Sequence, residues 1–230
     1  MSTIGVLNKR YEKLIAHWDP KSPVSEAYRT LRTNIQFAGV DQEIKTILVT
    51  STAPEEGKST TSANLAVVTA QAGKRTLYID ADLRKPTGHQ TFYVSNRRGL
   101  TSFLAGQTAL ENTVQQTGIE NLFVMTAGPI PPNPSELLGS KKMRAALEEL
   151  QTHFDFIILD TPPTLAVADS TILARMVDGC ILVVNSGKTN RDMAKKAKQQ
   201  LENAHARLLG IVLNNKKAKK NEDYYYYYQQ

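Results

Sequence analysis

Residues 50–66 read TSTAPEEGKSTTSANLA, and within them Glu56-Gly57-Lys58-Ser59-Thr60 carries the GK[ST] end of a phosphate-binding loop. The chemistry such a stretch supports is the cradling of a polyphosphate. Gly57 lets the backbone come close to phosphate, and a helix starting there turns its free N–H groups on the anion. Lys58 reaches the β- and γ-phosphates, and the Ser59 hydroxyl is a ligand for Mg²⁺. Thr52 stands where the usual first glycine of GxxxxGK[ST] would fall. In two further segments an apolar strand ends in carboxylates: at Asp160 in FIILDTPP (156–163), and at Asp80 and Asp82 in LYIDADLRKP (77–86). Asp80 and Asp82, two apart on extended chain, point the same way. A lone aspartate at a strand end is commonly a helix cap or turn residue. Three of them beside a phosphate loop make a metal–nucleotide constellation.

These groups need strands to carry them. Apolar runs at 45–51, 75–80, 121–127, 155–160, 179–186 and 208–214 have strand length, and most are continuous enough to be covered on both faces. Helical patterns lie between them, at Ser59 to Ala72, Ser135 to His153, Ala166 to Met176 and Asn190 to Ala204. The alternation predicts an α/β fold: a P-loop NTPase-like, doubly wound, mostly parallel sheet flanked by helices. Right-handed crossovers place the ligand at the carboxyl ends of the strands. One domain is expected, with a core over 45–215, an N-terminal segment 1–44 holding an amphipathic helix from Pro23 to Phe37, and a tail 216–230.

Composition narrows the setting. No apolar run reaches membrane-spanning length, and the start MSTIGVLNKRYEK lacks the apolar stretch of a secretory signal. Cys180 is the single cysteine, so no internal disulfide forms, and its apolar neighbours suggest a buried, inert thiol in a reducing cytoplasm. The four histidines have no metal-ligand spacing, and no zinc site is expected. The net charge of +6 favours an anionic partner without choosing among nucleotide, nucleic acid and membrane surface. The tail is the oddest segment: Lys216, Lys217, Lys219 and Lys220, then Asn221-Glu222-Asp223, then Tyr224, Tyr225, Tyr226, Tyr227 and Tyr228. It has no hydrophobic periodicity and is expected to be mobile.

Taken together, TSTAPEEGKST, LYIDADLRKP, TAGPIPPNPSELL (126–138), ILDTPP and the terminal tyrosines resemble the bacterial tyrosine kinases (BY-kinases) of capsule and exopolysaccharide synthesis. The resemblance is to their stand-alone cytoplasmic Gram-positive type and spans nearly the whole chain. It implies ATP and Mg²⁺ as cofactors, with Glu56, Gly57, Lys58, Ser59 and Thr60 forming the phosphate loop and Ser59, Asp82 and Asp160 around the metal. Asp80 is then the base toward a tyrosine hydroxyl. Arg84 matches an arginine of the same motif, and Asn214 an asparagine that related ATPases place on the purine. The family's ExxRxxR motif falls on Glu26, Arg29 and Arg32, implying that this helix joins subunits into a ring.

The same resemblance gives the tyrosines a use, as acceptors in a neighbour's active site. Each phosphotyrosine adds about −1.5 to −2 charges, so extensive modification is expected to release the tail and open the ring. The implied partners are a transmembrane adaptor acting through its cytoplasmic tail, protein tyrosine substrates and an opposing phosphatase, with no nucleic acid. The implied location is the cytoplasm, at the inner face of the membrane through that adaptor. Two other readings share these motifs. A partitioning or septum-positioning ATPase would carry a lysine five residues before Lys58, where this chain has Ala53. A nucleotide-binding adaptor without kinase activity would not need Lys58, Ser59, Asp80, Asp82 and Asp160 together.

Overall fold

All six apolar runs become strands in the structure, a computed structural model that describes residues 13–39 and 42–216. They are β1 (Thr46–Ser51), β2 (Thr76–Asp80), β4 (Leu122–Met125), β5 (Phe156–Asp160), β6 (Gly179–Asn185) and β7 (Leu208–Asn214). A seventh, β3 (Val114–Gln116), pairs antiparallel with β4 at one edge. The sheet order is β3-β4-β2-β5-β1-β6-β7, and every other pairing is parallel. β1 therefore lies inside the sheet, and the chain crosses over β5 to reach β2. That reversal of strand order opens a crevice at the carboxyl ends, where open α/β sheets bind ligands.

Alternate residues of each strand enter opposite layers, as the strand period of two requires. Ile47, Val49, Tyr78 and Ile158 pack with Leu65 and Val68 on one side, while Leu48, Leu77, Ile79 and Leu159 pack with Leu147, Leu150 and Leu201 on the other. The helices are α1 (Ile15–Trp18), α2 (Pro23–Ala38), α3 (Lys58–Gln71), α4 (Gly88–Phe92), α5 (Leu100–Leu104), α6 (Pro134–Leu138), α7 (Lys141–His153), α8 (Asp169–Ala174) and α9 (Arg191–Asn203). α3 is buried at every position from Thr61 to Ala70, because the sheet covers one side and α1 and α2 the other. Asn64 ties this second layer down: its Oδ1 accepts from the Ala16 N–H at 3.0 Å, and its Nδ2 donates to the Lys13 carbonyl at 2.8 Å. α2 starts with Ser22 as its cap, accepting from the Ser25 N–H at 3.2 Å, and with Pro23 in its first turn.

The expected helix from Ser135 to His153 is two helices. Gly139 closes α6, and the Ser140 hydroxyl restarts the chain by accepting from the Met143 N–H at 3.1 Å. The helix expected over Ala166–Met176 shortens to α8. Cys180 is fully buried, and burial pushes its thiol up to about 12, which leaves it inert at neutral pH. Among the described residues, no helix is long and apolar enough to cross a membrane.

Candidate active site

The phosphate loop runs from the end of β1 into α3. Gly57 sits at φ +94°, a conformation that side chains rarely adopt, and a Cβ there would stand 2.0 Å from Asn214 Nδ2. Asn214, at the end of β7, donates from Nδ2 to the Glu56 carbonyl at 3.0 Å. Glu56 itself is 6% exposed. Its Oε2 accepts from the Thr52 and Ala53 N–H groups at 2.7 and 3.0 Å, and its Oε1 from the Thr189 hydroxyl at 2.5 Å. Thr189 Oγ1 in turn accepts from the Asn185 N–H at 2.7 Å, at the end of β6. The loop is thus pinned from three strands. Of the residues expected on the phosphates, Gly57, Lys58, Ser59 and Thr60 line the cavity, while the Glu56 carboxylate turns inward and shapes the loop. Glu55, also on the cavity wall, is a non-glycine residue at φ 64°, strain of the kind that collects at working sites.

Across the crevice, β2 and β5 set Asp80 and Asp160 side by side in register. Both are fully buried, and Asp82 is 4% exposed. Lys58 Nζ enters this acidic group, 3.0 Å from Asp82 Oδ2, 3.5 Å from Asp160 Oδ1 and 3.1 Å from Ser59 Oγ. Burial opposes its charge, but Asp160 and Asp82 outweigh that and hold the ammonium above its ordinary value. Asp80 Oδ2 accepts from the Gly88 and Thr87 N–H groups at 2.7 and 3.0 Å, and Oδ1 from the Asp82 N–H at 3.3 Å. Burial first, then the charge of Asp160, raises its carboxyl to about 7. Burial also raises Asp160, with Lys58 opposing it. The Tyr78 hydroxyl donates to Asp160 Oδ2 at 3.0 Å. Asp160 Oδ1 has no hydrogen-bond partner.

That buried oxygen accepts no hydrogen bond and has the Lys58 ammonium at 3.5 Å, and beside Ser59 it suits a hard cation. Among the described residues, no three His, Cys, Asp or Glu side chains converge to hold a metal by themselves. Magnesium keeps water and phosphate ligands and takes only one or two carboxylates from the protein, so the residues present fit it only together with a nucleotide.

The cavity encloses about 610 Å³, within the range of small-ligand sites. Beyond the phosphate loop its wall is Arg84, Lys85, Thr87, Thr91 and an apolar shelf of Pro162, Pro163, Ala166 and Val167. Arg84 is held in place by Asp169: Nε donates to Oδ2 at 2.8 Å and Nη2 to Oδ1 at 3.1 Å, with Ser135 Oγ donating to the same Oδ1 at 2.6 Å. Asp169 is fully buried. Ser135 falls within TAGPIPPNPSELL, but no local pattern ties it or Asp169 to Arg84, which lies 51 and 85 residues away from them.

On α2, Glu26 and Arg29 pair at 2.8 Å on the exposed face. Arg32 does not continue that stripe. It turns onto α3, and its Nη1 donates to the Val68 carbonyl at 2.9 Å. Tyr224 to Tyr228 lie outside the described residues.

A family model described as an AAA domain matches residues 44–209. Tyrosine-protein kinase YwqD of Bacillus subtilis (strain 168) is 51% identical over 207 residues, covering 90% of this chain and 87% of that protein. The crystal structure of the chimerical protein CapA2B2 superposes with a TM-score of 0.87 at 41% identity, covering 94% of this chain and 100% of that one. The cell division ATPase MinD of Pyrococcus furiosus superposes with a TM-score of 0.66 at 25% identity, covering 77% and 75%. The phosphate loop identifies a nucleotide-binding site of the kind this fold carries. With its phosphate loop and acidic strand ends assembled at one crevice and the match to these kinases running through nine-tenths of the chain, the protein belongs to the bacterial tyrosine kinases of capsule and exopolysaccharide synthesis.

Proposed function

We propose that the chain is an autokinase that transfers the γ-phosphoryl group of ATP to tyrosines of its own C-terminal cluster, Tyr224 to Tyr228, and that it does so between neighbouring subunits. The observation that carries this is Lys58 poised between the phosphate loop and the Asp82–Asp160 pair, on a cavity with room beyond the loop for an acceptor. A polyphosphate arriving on the α3 N-terminus competes with the carboxylates for Lys58. Ser59, Asp82 and Asp160 are then left to hold Mg²⁺, which neutralises charge on the phosphates. The tyrosine oxygen forms its bond to γ-phosphorus as the bond to the ADP oxygen breaks, and the phenolic proton passes to the aspartate cluster. The family resemblance gives that proton to Asp80, whose carboxyl is raised to about 7 by burial and the charge of Asp160; burial raises Asp160 as well. Arg84, oriented by Asp169 and Ser135, faces the same space.

Incubation with ATP and Mg²⁺, with and without the adaptor's cytoplasmic segment, should place phosphate on the tail tyrosines by mass spectrometry. A tail left unmodified under both conditions while ATP is consumed would favour a partitioning-type ATPase.

Assembly into a ring through α2 is part of the same proposal. Glu26 and Arg29 pair on the exposed face of α2, where Arg29 also donates to the Pro20 carbonyl at 2.6 Å and both can be reached by a neighbour, whereas Arg32 braces α2 on α3. Glu26→Ala with Arg29→Ala should therefore give monomers by light scattering, with stability changed by no more than about 0.5 kcal/mol. Arg32→Ala should lower the melting temperature by removing a part-buried bond to Val68. If the double variant kept the mass of the unaltered protein, this helix would not be the joint. Tail phosphorylation would load negative charge beside Glu222 and Asp223, loosen the tail from the site and open the ring. The adaptor would hold the kinase at the inner face of the membrane, where it would govern polysaccharide export.

A further inference from the structure

We infer that Lys13 and Lys85 form an acidic-residue subsite that selects tyrosines preceded by carboxylates, with Glu222-Asp223-Tyr224 of the chain's own tail as its occupant. The inference rests on the kinase reading above and adds what makes one tyrosine segment a better acceptor than another.

Among the described residues, four cationic side chains line the cavity: Lys13, Lys58, Arg84 and Lys85. Two are committed, Lys58 to Asp82 and Asp160, and Arg84 to Asp169. The other two are exposed and make no ion pair with a described residue. Their backbones, in contrast, are fixed. Lys13 is held through its carbonyl by Asn64, a fully buried residue of α3, and Lys85 through its N–H, which donates to Asp82 Oδ1 at 3.0 Å. Two lysines anchored at the main chain and loose at the ammonium are therefore presented around one mouth. On the wall of the same cavity, Pro162, Pro163, Ala166 and Val167 offer a phenol ring an apolar bed.

The tail matches this arrangement in charge and order. Glu222 and Asp223 come directly before the five tyrosines, and a basic stretch separates them from the domain. β7, from which the tail departs, ends at Asn214, whose side chain touches the phosphate loop itself. The eight residues from 217 to 224 span at most about 26–29 Å of extended chain, the reach within which a neighbouring subunit's cavity must lie for transfer between subunits.

The test uses the full chain at saturating ATP and Mg²⁺, with two peptides of residues 217–230 as acceptors. One is native and the other carries Glu222→Gln and Asp223→Asn. The unaltered protein should phosphorylate the native peptide with a kcat/KM roughly three- to thirtyfold higher, the span expected of two exposed ion pairs, and the difference should lie in KM for the peptide and shrink with salt. Lys13→Glu with Lys85→Glu should remove that preference and favour a peptide carrying Glu222→Lys and Asp223→Lys. Equal use of the first two peptides by the unaltered protein overturns the inference alone, as does a preference that survives the double charge reversal. A double variant that keeps its peptide preference and instead needs more ATP would assign the lysines to the nucleotide. No phosphorylation of any peptide by the unaltered protein overturns the kinase reading, and this inference with it.

Discussion

Lys58→Met should cut tyrosine phosphorylation by about a thousandfold or more, because the variant loses the phosphate-loop cation that follows charge onto the transferring phosphoryl group. The same substitution should also show itself without any nucleotide. Lys58 is the cation among Asp80, Asp82 and Asp160, and only 12% of its side chain is exposed. Removing it leaves buried carboxylates facing one another. Their response is to hold protons, so the folded-state carboxyl of Asp80, already at about 7 from burial and Asp160, climbs further from its unfolded value near 3.8. A native state that binds more protons than the unfolded chain loses stability as pH rises through that interval. Hence Lys58→Met should melt near the unaltered protein at pH 5 and well below it at pH 8, where removing one partner of a buried pair costs about 3–5 kcal/mol. Thermal melts of both proteins at the two pH values check this. An equal deficit at both would mean that Lys58 does not neutralise the aspartate cluster.

Why the acidic cluster was legible from sequence, and its supports were not, follows from the range of the interactions. LYIDADLRKP and FIILDTPP declare themselves because an apolar strand that ends in a carboxylate is a local pattern, and the parallel register of β2 and β5 then aligns Asp80 with Asp160. The strands are visible for the same reason: runs such as ILVT and CILVVN can only be satisfied between two covered faces. Arg84 stands out within its motif, but its clamp does not, since Ser135 and Asp169 come from two distant helices that meet only in the folded state. Glu56 is a different case. Its place in the phosphate loop suggests a ligand contact, and nothing local says that the carboxylate bends back to the Thr52 and Ala53 amides. Arg32 keeps the spacing of Glu26 and Arg29 yet reaches the other way, because its position on α2 overlooks the Val68 carbonyl. A closer reading could have found the break between α6 and α7, since Gly139-Ser140 is a helix stop followed by a cap. Three-residue β3 leaves too short a pattern to read.

The inward turn of Glu56 makes Glu56→Ala the second large effect to expect. The carboxylate accepts from two N–H groups of the loop and from Thr189, which links it to β6, while its own carbonyl takes the Asn214 amide from β7. Truncation strands the Thr52 N–H in a site that is 3% exposed, and frees the loop from β6 in the same stroke. Each buried donor left without an acceptor costs about 1–3 kcal/mol, so a loss of roughly 2–4 kcal/mol is expected, a drop in melting temperature of about 4–16 °C for a domain of this size. Nucleotide affinity should fall at least about tenfold, because the free loop must be ordered again when phosphate binds. Glu56→Gln keeps one oxygen for the two amides and should recover much of both losses. Asn214→Ala, which removes a single bond to the Glu56 carbonyl, should cost nearer about 1 kcal/mol. Thermal melts and titration with a fluorescent ATP analogue separate these cases. If Glu56→Ala bound nucleotide as tightly as the unaltered protein, the loop would be shaped by Gly57 and the start of α3 alone, and the ties to β6 and β7 would serve stability only.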